Sequence, residues 1–188
     1  MTETRSMYEQ VMGAEFAKLG TSVQKFHRLA GYHELHGWVE TMAPRSILAK
    51  LLALSLGSPM RMSQGPLRFE LRAEPHCEIW TRFFPTQVMR SRLQRREREI
   101  VESLGAVRLT FELAATEKRL VMRLLRLHFL GIRCPAWLVP RVVAEETGAG
   151  DQLQFRVEAS LPFVGVVASY RGHLVLPNEG TSCLLAAD

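Results

Sequence analysis

Six arginine and aromatic residues have the types and the spacing that a binding site for an acidic group requires. A guanidinium group binds carboxylates and phosphates through paired hydrogen bonds and stacks on aromatic rings. The six residues lie in two stretches that alternate along predicted strands, so several of them share a strand face. They are Trp80, Arg82, Arg90, Arg92, Tyr170 and Arg171. We predict that the arginines hold the acidic head of an amphipathic or anionic small molecule, and that the two aromatic rings pack its body.

The same arginines have two purely structural explanations. They could face outwards into solvent, as charged residues on strands usually do. Alternatively, carboxylates such as Glu78, Glu145 or Glu158 could neutralise them in a buried network, because unpaired buried charges are costly. A binding site, a solvated face and an ion-pair network are therefore all open at this point.

The first stretch, residues 76–93, is predicted to be a β-hairpin. Its side chains follow a period of two, and a Pro-Thr turn separates the two halves. Trp80 and Arg82 share one face of the first strand, and Arg90 and Arg92 share one face of the second. We expect the hairpin to bring these two pairs across from each other.

Helical patterns occupy the first third of the chain and strand patterns the rest. Apolar residues recur at helical spacing over residues 5–19, in a short segment from Thr21 and over residues 44–56. This segregation predicts an α+β fold, in which N-terminal helices precede a large, strongly curved antiparallel β-sheet or β-barrel. No linker or composition break occurs. We therefore expect one domain over residues 1–188 with a flexible tail at 177–188.

The segment 44–56 is apolar nearly all round. Between Ile47 and Leu56 its only charged side chain is Lys50. A helix of this kind needs cover on most sides. We expect it to be at least two-thirds buried, as a plug at a barrel end, between the sheet and the N-terminal helices, or in a partner. A helix at a membrane surface needs a basic polar face, which this segment lacks.

The composition is that of an ordinary globular protein with a basic surplus. The chain has 188 residues, of which 47% are hydrophobic, and a formal net charge of +5 that comes almost entirely from 20 arginines. Trp80, Phe83 and Phe84 could stack nucleic-acid bases. However, glutamates interleave with the arginines and weaken the positive field that nucleic acid requires. We therefore do not expect nucleic acid as a partner.

Cysteine usage and hydropathy indicate a cytoplasmic protein. Cys77, Cys134 and Cys183 are widely spaced and form no CxxC pair, which predicts three free thiols in a reducing compartment. The first ten residues lack the apolar core of a signal peptide. No run of about 18 apolar residues occurs, so we expect no transmembrane segment.

Common catalytic and cofactor motifs are absent from the sequence. It has no GxxxxGK[ST], GxSxG or HExxH pattern and no GxGxxG after a predicted strand. His33 and His36 have a spacing seen in metal sites, but on a strand residues three apart face opposite sides. We therefore predict no metal and no cofactor, and the catalytic residues, if any exist, are unknown.

Four segments follow one another in a characteristic order along the chain. They are MYEQVMGAEFAKLGTSVQKFH, IWTRFF with MRSRL, FLGIRCPAWLVPRVVAEE and VEASLPFVGVVASYRGHL. In them the sequence resembles the bacterial family known as domain of unknown function 4166, over about residues 7–176. The family's W-x-R, R-x-R and Y-R-G elements match residues 80–82, 90–92 and 170–172. Ala168-Ser169 departs from the apolar-basic pair more typical there. The resemblance implies one β-rich domain and no established reaction, substrate or catalytic residue.

Three functions compete. The first is non-enzymatic binding of an amphipathic or anionic small molecule in a cavity closed by the 44–56 helix. The second is a small enzyme that uses one arginine as an anion site and Glu145, Glu158 or His173 as a general base. The third, an accessory module that docks on an oxidoreductase, is implied by the family resemblance alone.

Overall fold

The computed structural model describes residues 5–177. Its helices are α1 (Met7–Met12), α2 (Thr21–His27) and α3 (Ile47–Leu56), with 3₁₀ helices at Gly13–Lys18 and Ala136–Leu138. Its strands are β1 (Gly31–Thr41), β2 (Ser63–Glu74), β3 (Cys77–Phe84), β4 (Gln87–Arg96), β5 (Glu99–Leu104), β6 (Val107–Thr116), β7 (Arg119–Phe129), β8 (Ile132–Arg133), β9 (Arg141–Ala149), β10 (Gln152–Leu161) and β11 (Gly165–Val175). Cys183 and residues 178–188 of the expected tail lie outside the described residues.

Ten of these strands close into an antiparallel barrel. Strands β1 to β7 pair in chain order, β7 pairs with β9, and β9, β10 and β11 follow until β11 meets β1. The short β8 pairs with β7 outside the ring. The α+β expectation therefore fits in outline, with a few N-terminal helices before a mostly β structure, and the curved sheet closes fully. Closure pairs the backbone N–H and C=O groups that the edge strands of an open sheet would leave unpaired.

The connections between strands fall at two ends of the barrel. The upper end carries the connections 42–62 (with α3), 85–86, 105–106, 130–140 and 162–164. The lower end carries the turns 75–76, 97–98, 117–118 and 150–151, together with the N-terminal helices. The interior between these two ends is where any enclosed site must lie.

The N-terminal helices close the lower end. The Ser6 side chain accepts a hydrogen bond from the Glu9 backbone at 3.2 Å, and the Glu9 carboxylate accepts one from the Ser6 backbone at 2.9 Å, which starts α1. Tyr8 and Phe26 are buried against inward-facing strand residues. The backbone N–H before α2 donates to the carbonyl oxygen of Lys118 at 2.8 Å. Packing and backbone bonding therefore fix these helices to the barrel.

The chain itself buries less than two-thirds of the helix in segment 44–56, contrary to expectation, and burial by a partner stays a prediction. Ala49 and Ala53, one turn apart, are fully buried against Val167 of β11. On the opposite side Leu51 is 60% and Leu54 is 67% exposed. The small alanine side chains let the helix lie close to the barrel, so one side suffices to hold it. Within the described chain, no helix is long and apolar enough to span a membrane.

Two inward-facing glycines allow β1 and β11 to approach closely. A Cβ atom on Gly37 would lie 1.8 Å from the carbonyl oxygen of His173. A Cβ atom on Gly172 would lie 2.0 Å from the carbonyl oxygen of Trp38. Any side chain at either position would force these backbones apart. The glycines therefore shape the wall beside the interior.

Candidate functional site

A cavity of about 270 Å³ occupies the upper part of the barrel interior. Its walls are mostly apolar, with inward-facing residues of β4, β5, β6, β7, β9, β10 and β11. Leu52 of α3 and Leu138 of the 130–140 connection line it near the upper end. Trp80, Arg82 and Tyr170 line it as well. The interior is thus an apolar chamber with a few polar groups.

Strand register decides which arginines of the hairpin face this cavity. Trp80 pairs with Ser91, and Arg82 pairs with Met89. All four of these side chains are buried inside the barrel. Arg90 pairs with Thr81 and is exposed on the outer face. The expectation that the pair Arg90–Arg92 lies across from Trp80 and Arg82 is therefore wrong, because the alternation is offset by one residue.

Arg92 and Arg171 also lie on the outer face. Arg92 donates from Nε to the Cys77 sulfur at 3.3 Å. Arg171 binds the Glu40 carboxylate at 2.7 Å on the neighbouring strand. Tyr170, one position before Arg171, points inwards and is buried. Of the six predicted site residues, the barrel therefore gathers Trp80, Arg82 and Tyr170 and separates the three remaining arginines from them.

Arg82 is held at the cavity wall by partners on β4 and β5. Its Nη1 donates to the Ser91 hydroxyl at 3.1 Å, and its Nη2 lies 3.9 Å from a Glu102 carboxylate oxygen. The guanidinium also lies 4.9 Å from the ring centroid of Trp80. The Glu102 separation exceeds a hydrogen bond. Since a guanidinium carries five N–H donors, Arg82 keeps donor capacity towards the cavity.

Further polar side chains lie below Arg82, between the cavity and the N-terminal helices. His27 Nε2 and Glu146 Oε2 are 2.6 Å apart, and the Tyr8 ring stacks on the His27 ring with centroids 3.7 Å apart. Trp80 Nε1 donates to the Glu78 carboxyl group at 2.8 Å. We call the whole group the buried polar layer. Its members are Tyr8, His27, Glu78, Arg82, Ser91, Glu102, Glu146 and Tyr170.

Burial raises the pKa of Glu78 and of Tyr170 in this layer. It raises the pKa of Glu78 from 4.5 to about 7, while His27 and the Trp80 hydrogen bond lower that pKa and Glu146 raises it. Burial also raises the pKa of Tyr170, against the nearby Arg82 guanidinium. These groups interact at short range in a low dielectric. The layer therefore contains both donors and acceptors and is not a simple cationic pocket.

Sequence reasoning missed several members of this layer. Glu146 faces inwards with Ala144. Its neighbour Glu145, a candidate base in the sequence analysis, points to the other face of β9. The apolar alternation of β9 could have indicated this. Tyr8 and His27 come from the N-terminal helices. No local pattern in the sequence assigns those two residues to the barrel interior.

The bases proposed for the enzyme hypothesis lie together on the outer wall, with one exception. Glu145, His173 and Arg171 line a shallow groove of about 370 Å³, and Glu145 borders the interior cavity as well. Glu158 lies in a neighbouring outer groove and contacts Arg156 at 3.5 Å. These grooves lack an enclosed apolar wall, so they resemble solvated strand faces more than a catalytic cleft.

Metal ligands and disulfides do not define a site in the part of the chain that the structure describes. Among residues 5–177, no group of three or more His, Cys, Asp or Glu side chains is arranged to hold a metal ion. His33 binds the Ala30 carbonyl oxygen at 2.9 Å, and His36 contacts Glu34 at 3.1 Å. Cys77 and Cys134 are free thiols.

Comparison with known proteins identifies the family. A family model described as Domain of unknown function (DUF4166) matches residues 19–174. No curated protein matches the sequence. Among solved structures, the crystal structure of Rv2717c from M. tuberculosis is similar, with 10% identity, 85% of this chain and 99% of that chain covered, and a TM-score of 0.44. The family match covers most of the chain, so the chain belongs to the family of domain of unknown function 4166, and the predicted resemblance is confirmed.

Proposed function

We propose that this family member is a non-enzymatic binding protein for an amphipathic small molecule. The observation that carries the proposal is the apolar cavity with the buried polar layer along one side. The ligand's apolar body would lie in the upper barrel, and its head group would reach Arg82. Trp80 and Tyr170 would contact the body beside the head. Arg90, Arg92 and Arg171 face outwards and have no role in this proposal.

The dimensions of the cavity support an apolar body of moderate size. A dry engineered cavity of about 150 Å³ in another protein binds benzene. The cavity here is about 270 Å³, near the lower limit of about 300 Å³ that is usual for small-molecule sites. Its walls offer few polar groups, so water gains little by filling it. A medium-length aliphatic chain or a compact ring system would match both the volume and the apolar walls of the cavity.

The groups around Arg82 favour a neutral head that both accepts and donates hydrogen bonds. Arg82 would donate to such a head, and Glu102, whose carboxylate stands 3.9 Å from Arg82, would accept from it. An anionic head would meet Glu102 and Glu146 in the same layer, and like charges at short range are unfavourable. Alcohols, amides and protonated carboxylic acids therefore fit better than phosphates or carboxylates.

A series of probes with one aliphatic chain and different heads tests the proposal. Decanol, decanamide, decanoate and decyltrimethylammonium would each be titrated into the purified protein by calorimetry at neutral pH. We expect decanol and decanamide to bind best, and decanoate to improve as the pH falls and its carboxylate is protonated. Tightest binding by decyltrimethylammonium would contradict the role given to Arg82.

A cavity-filling variant provides the matched control for that titration. Ala144 lines the cavity, and Val143, its neighbour on β9, is exposed on the outer face. We expect Ala144→Phe to remove binding and Val143→Phe to leave it unchanged, with both variants checked for a cooperative melt. Equal binding by the two variants, or binding of no probe by the wild type, would reject the cavity as the site.

One observation favours a second candidate, an enzyme with a buried base. Glu146 lines the cavity and lies 2.6 Å from His27, so it could take a proton from a cavity-bound water while His27 orients it. Hydrolysis of p-nitrophenyl decanoate tests this. The enzyme account expects turnover that Glu146→Gln abolishes and that Glu112→Gln, an exposed change on β6, retains. Turnover at the buffer rate by all three proteins favours the binding function.

The accessory-module hypothesis stays a prediction. It rests on what the family resemblance implies, and no contact among residues 5–177 favours an oxidoreductase partner.

A further inference from the structure

Exposed apolar side chains surround the upper end of the barrel. They come from three separate connections: α3, the segment 130–140 and the turn 162–164. We call them the apolar rim, and those used below are Ile47, Leu51, Leu54, Ile132, Trp137 and Phe163. The exposed fraction is 74% for both Ile132 and Trp137, and Phe163 is fully exposed. Monomeric proteins rarely expose such groups together, and clusters of this kind usually mark an interaction surface.

The three connections belong to one surface. The Ser46 hydroxyl before α3 donates to the Val164 carbonyl oxygen at 2.9 Å, which joins the helix to the 162–164 turn. Leu52 of α3 and Leu138 of the 130–140 segment line the same cavity, as does Leu161 before the turn. The rim therefore borders the upper end of the cavity.

All formal charges in the upper-end connections are positive. They are Arg45, Lys50, Arg61 and Arg133, and Arg141 follows at the start of β9. All five are exposed, and within the described residues none has a carboxylate at ion-pair distance. By contrast, several arginines on the barrel wall are paired, since Arg68, Arg126 and Arg171 each contact a glutamate. The positive charge beside the apolar rim is therefore available to a partner.

The lower end of the barrel carries charges of both signs. Three of its four turns contain a carboxylate, namely Glu97, Glu117 and Asp151. Basic residues occur beside them, as in the contact of Arg119 with Glu117 at 3.3 Å. Clustered exposed apolar groups together with charge of one sign therefore occur in the upper-end connections and not in the turns of the lower end.

We propose that the upper end of the barrel docks on the surface of an anionic phospholipid bilayer. The apolar rim would enter the boundary between headgroups and acyl chains, where tryptophan is favoured. The five basic residues would lie at headgroup level and contact the lipid phosphates. The α3 helix alone lacks the basic face that such a surface requires. The neighbouring connections provide the basic residues of that face, and only the folded chain brings them beside the helix.

The same charges disfavour a second copy of the chain as the occupant. A symmetric dimer through the rim would bring the same patch of both subunits together. Five unpaired basic residues would then face five others, with no carboxylate from either upper end to balance them. An anionic surface removes this repulsion. This docking goes beyond ligand binding and does not require the cavity to be filled.

Vesicle binding tests the proposal directly. The intact protein would be sedimented with vesicles of phosphatidylcholine alone and with vesicles of phosphatidylcholine and phosphatidylglycerol in equal parts. We expect binding to the anionic vesicles, loss of that binding at high salt, and a blue shift of tryptophan fluorescence that Trp137→Phe removes. No binding to anionic vesicles, or equal binding to both kinds, would overturn the proposal.

Charge reversal at the two ends gives a matched comparison. Lys50→Glu with Arg133→Glu changes the upper end, and Arg96→Glu with Arg98→Glu makes the same charge change at exposed positions of the lower end. We expect the upper pair to weaken vesicle binding by more than about tenfold and the lower pair to weaken it far less. Equal effects of the two pairs would overturn the proposal. So would a dimer in sedimentation velocity that Leu51→Ser dissociates without any vesicle binding.

Discussion

Replacement of Glu78 by glutamine should change how stability depends on pH. Glu78 is buried and accepts a hydrogen bond from Trp80 Nε1 at 2.8 Å. Burial raises its pKa from 4.5 to about 7. Between these values the folded protein keeps a proton that the unfolded chain has lost. The free energy of unfolding therefore falls as the pH rises through this window and levels off above about pH 7.

The size of the effect follows from the pKa change. The difference between 4.5 and about 7 is about 2.5, and each unit corresponds to about 1.36 kcal/mol, which gives about 3 kcal/mol. Glutamine keeps an acceptor for Trp80 and cannot ionise. Glu78→Gln should therefore lose less stability than the wild type as the pH rises, with a difference that grows by about 3 kcal/mol from below pH 5 to about pH 8.

Urea unfolding at a series of pH values measures this difference. Glu112 is exposed on β6, so Glu112→Gln makes the same chemical change without burial and should give a curve parallel to the wild type. A difference between Glu78→Gln and wild type that is constant with pH would refute the reasoning. A difference that shrinks as the pH rises would refute it as well.

Two further predictions concern the scaffold. Leu51→Asp should change the free energy of unfolding by no more than about 0.5 kcal/mol because Leu51 is 60% exposed. Ala53→Asp should cost several kcal/mol because it buries an unpaired charge. Equal denaturation midpoints of the two variants would contradict the position of α3. Gly172→Ala should cost about 3 kcal/mol because its Cβ atom would lie 2.0 Å from the Trp38 carbonyl oxygen, while the exposed neighbour Arg171→Ala should cost less than about 1 kcal/mol. Wild-type stability of Gly172→Ala would show that β1 and β11 are not in close contact.

The alternation within each strand was predictable, but the register between strands was misjudged. Trp80 and Arg82 do share a face, as do Arg90 and Arg92. A two-residue turn at 85–86 makes Phe84 pair with Gln87, so even-numbered residues of β3 meet odd-numbered residues of β4. This count places Arg90 and Arg92 on the outer face. The information was present in the turn length, because a two-residue loop fixes the hairpin register.

The orientation of α3 could not be predicted from its hydrophobicity. Both sides of the helix are apolar, so no polar face indicates which side meets solvent. The pair Ala49 and Ala53 marks the side of close approach, but only once β11 is known to lie beside it. For the same reason hydrophobicity alone did not show that the chain leaves one side of the helix exposed.

The buried polar layer depends on closure of the barrel. Arg82, Glu102, Glu146 and Tyr170 lie on β3, β5, β9 and β11, and only the complete strand order brings them together. His27 reaches the layer from α2, 119 residues before its partner Glu146. Contacts at such sequence separation have no local signature. The sequence therefore indicated the residue types of the site but not which of them meet.

The most direct test of the central claim is quenching of Trp80 by a ligand that carries a heavy atom. Trp38 and Trp137 would be replaced by phenylalanine, so that Trp80 at the cavity wall is the sole tryptophan and is excited selectively at long wavelength. Brominated decanol should then quench Trp80 saturably, and Ala144→Phe in the same background should abolish the quenching. Saturable binding of the probe without quenching of Trp80 would contradict the account, because it would place the ligand outside the barrel.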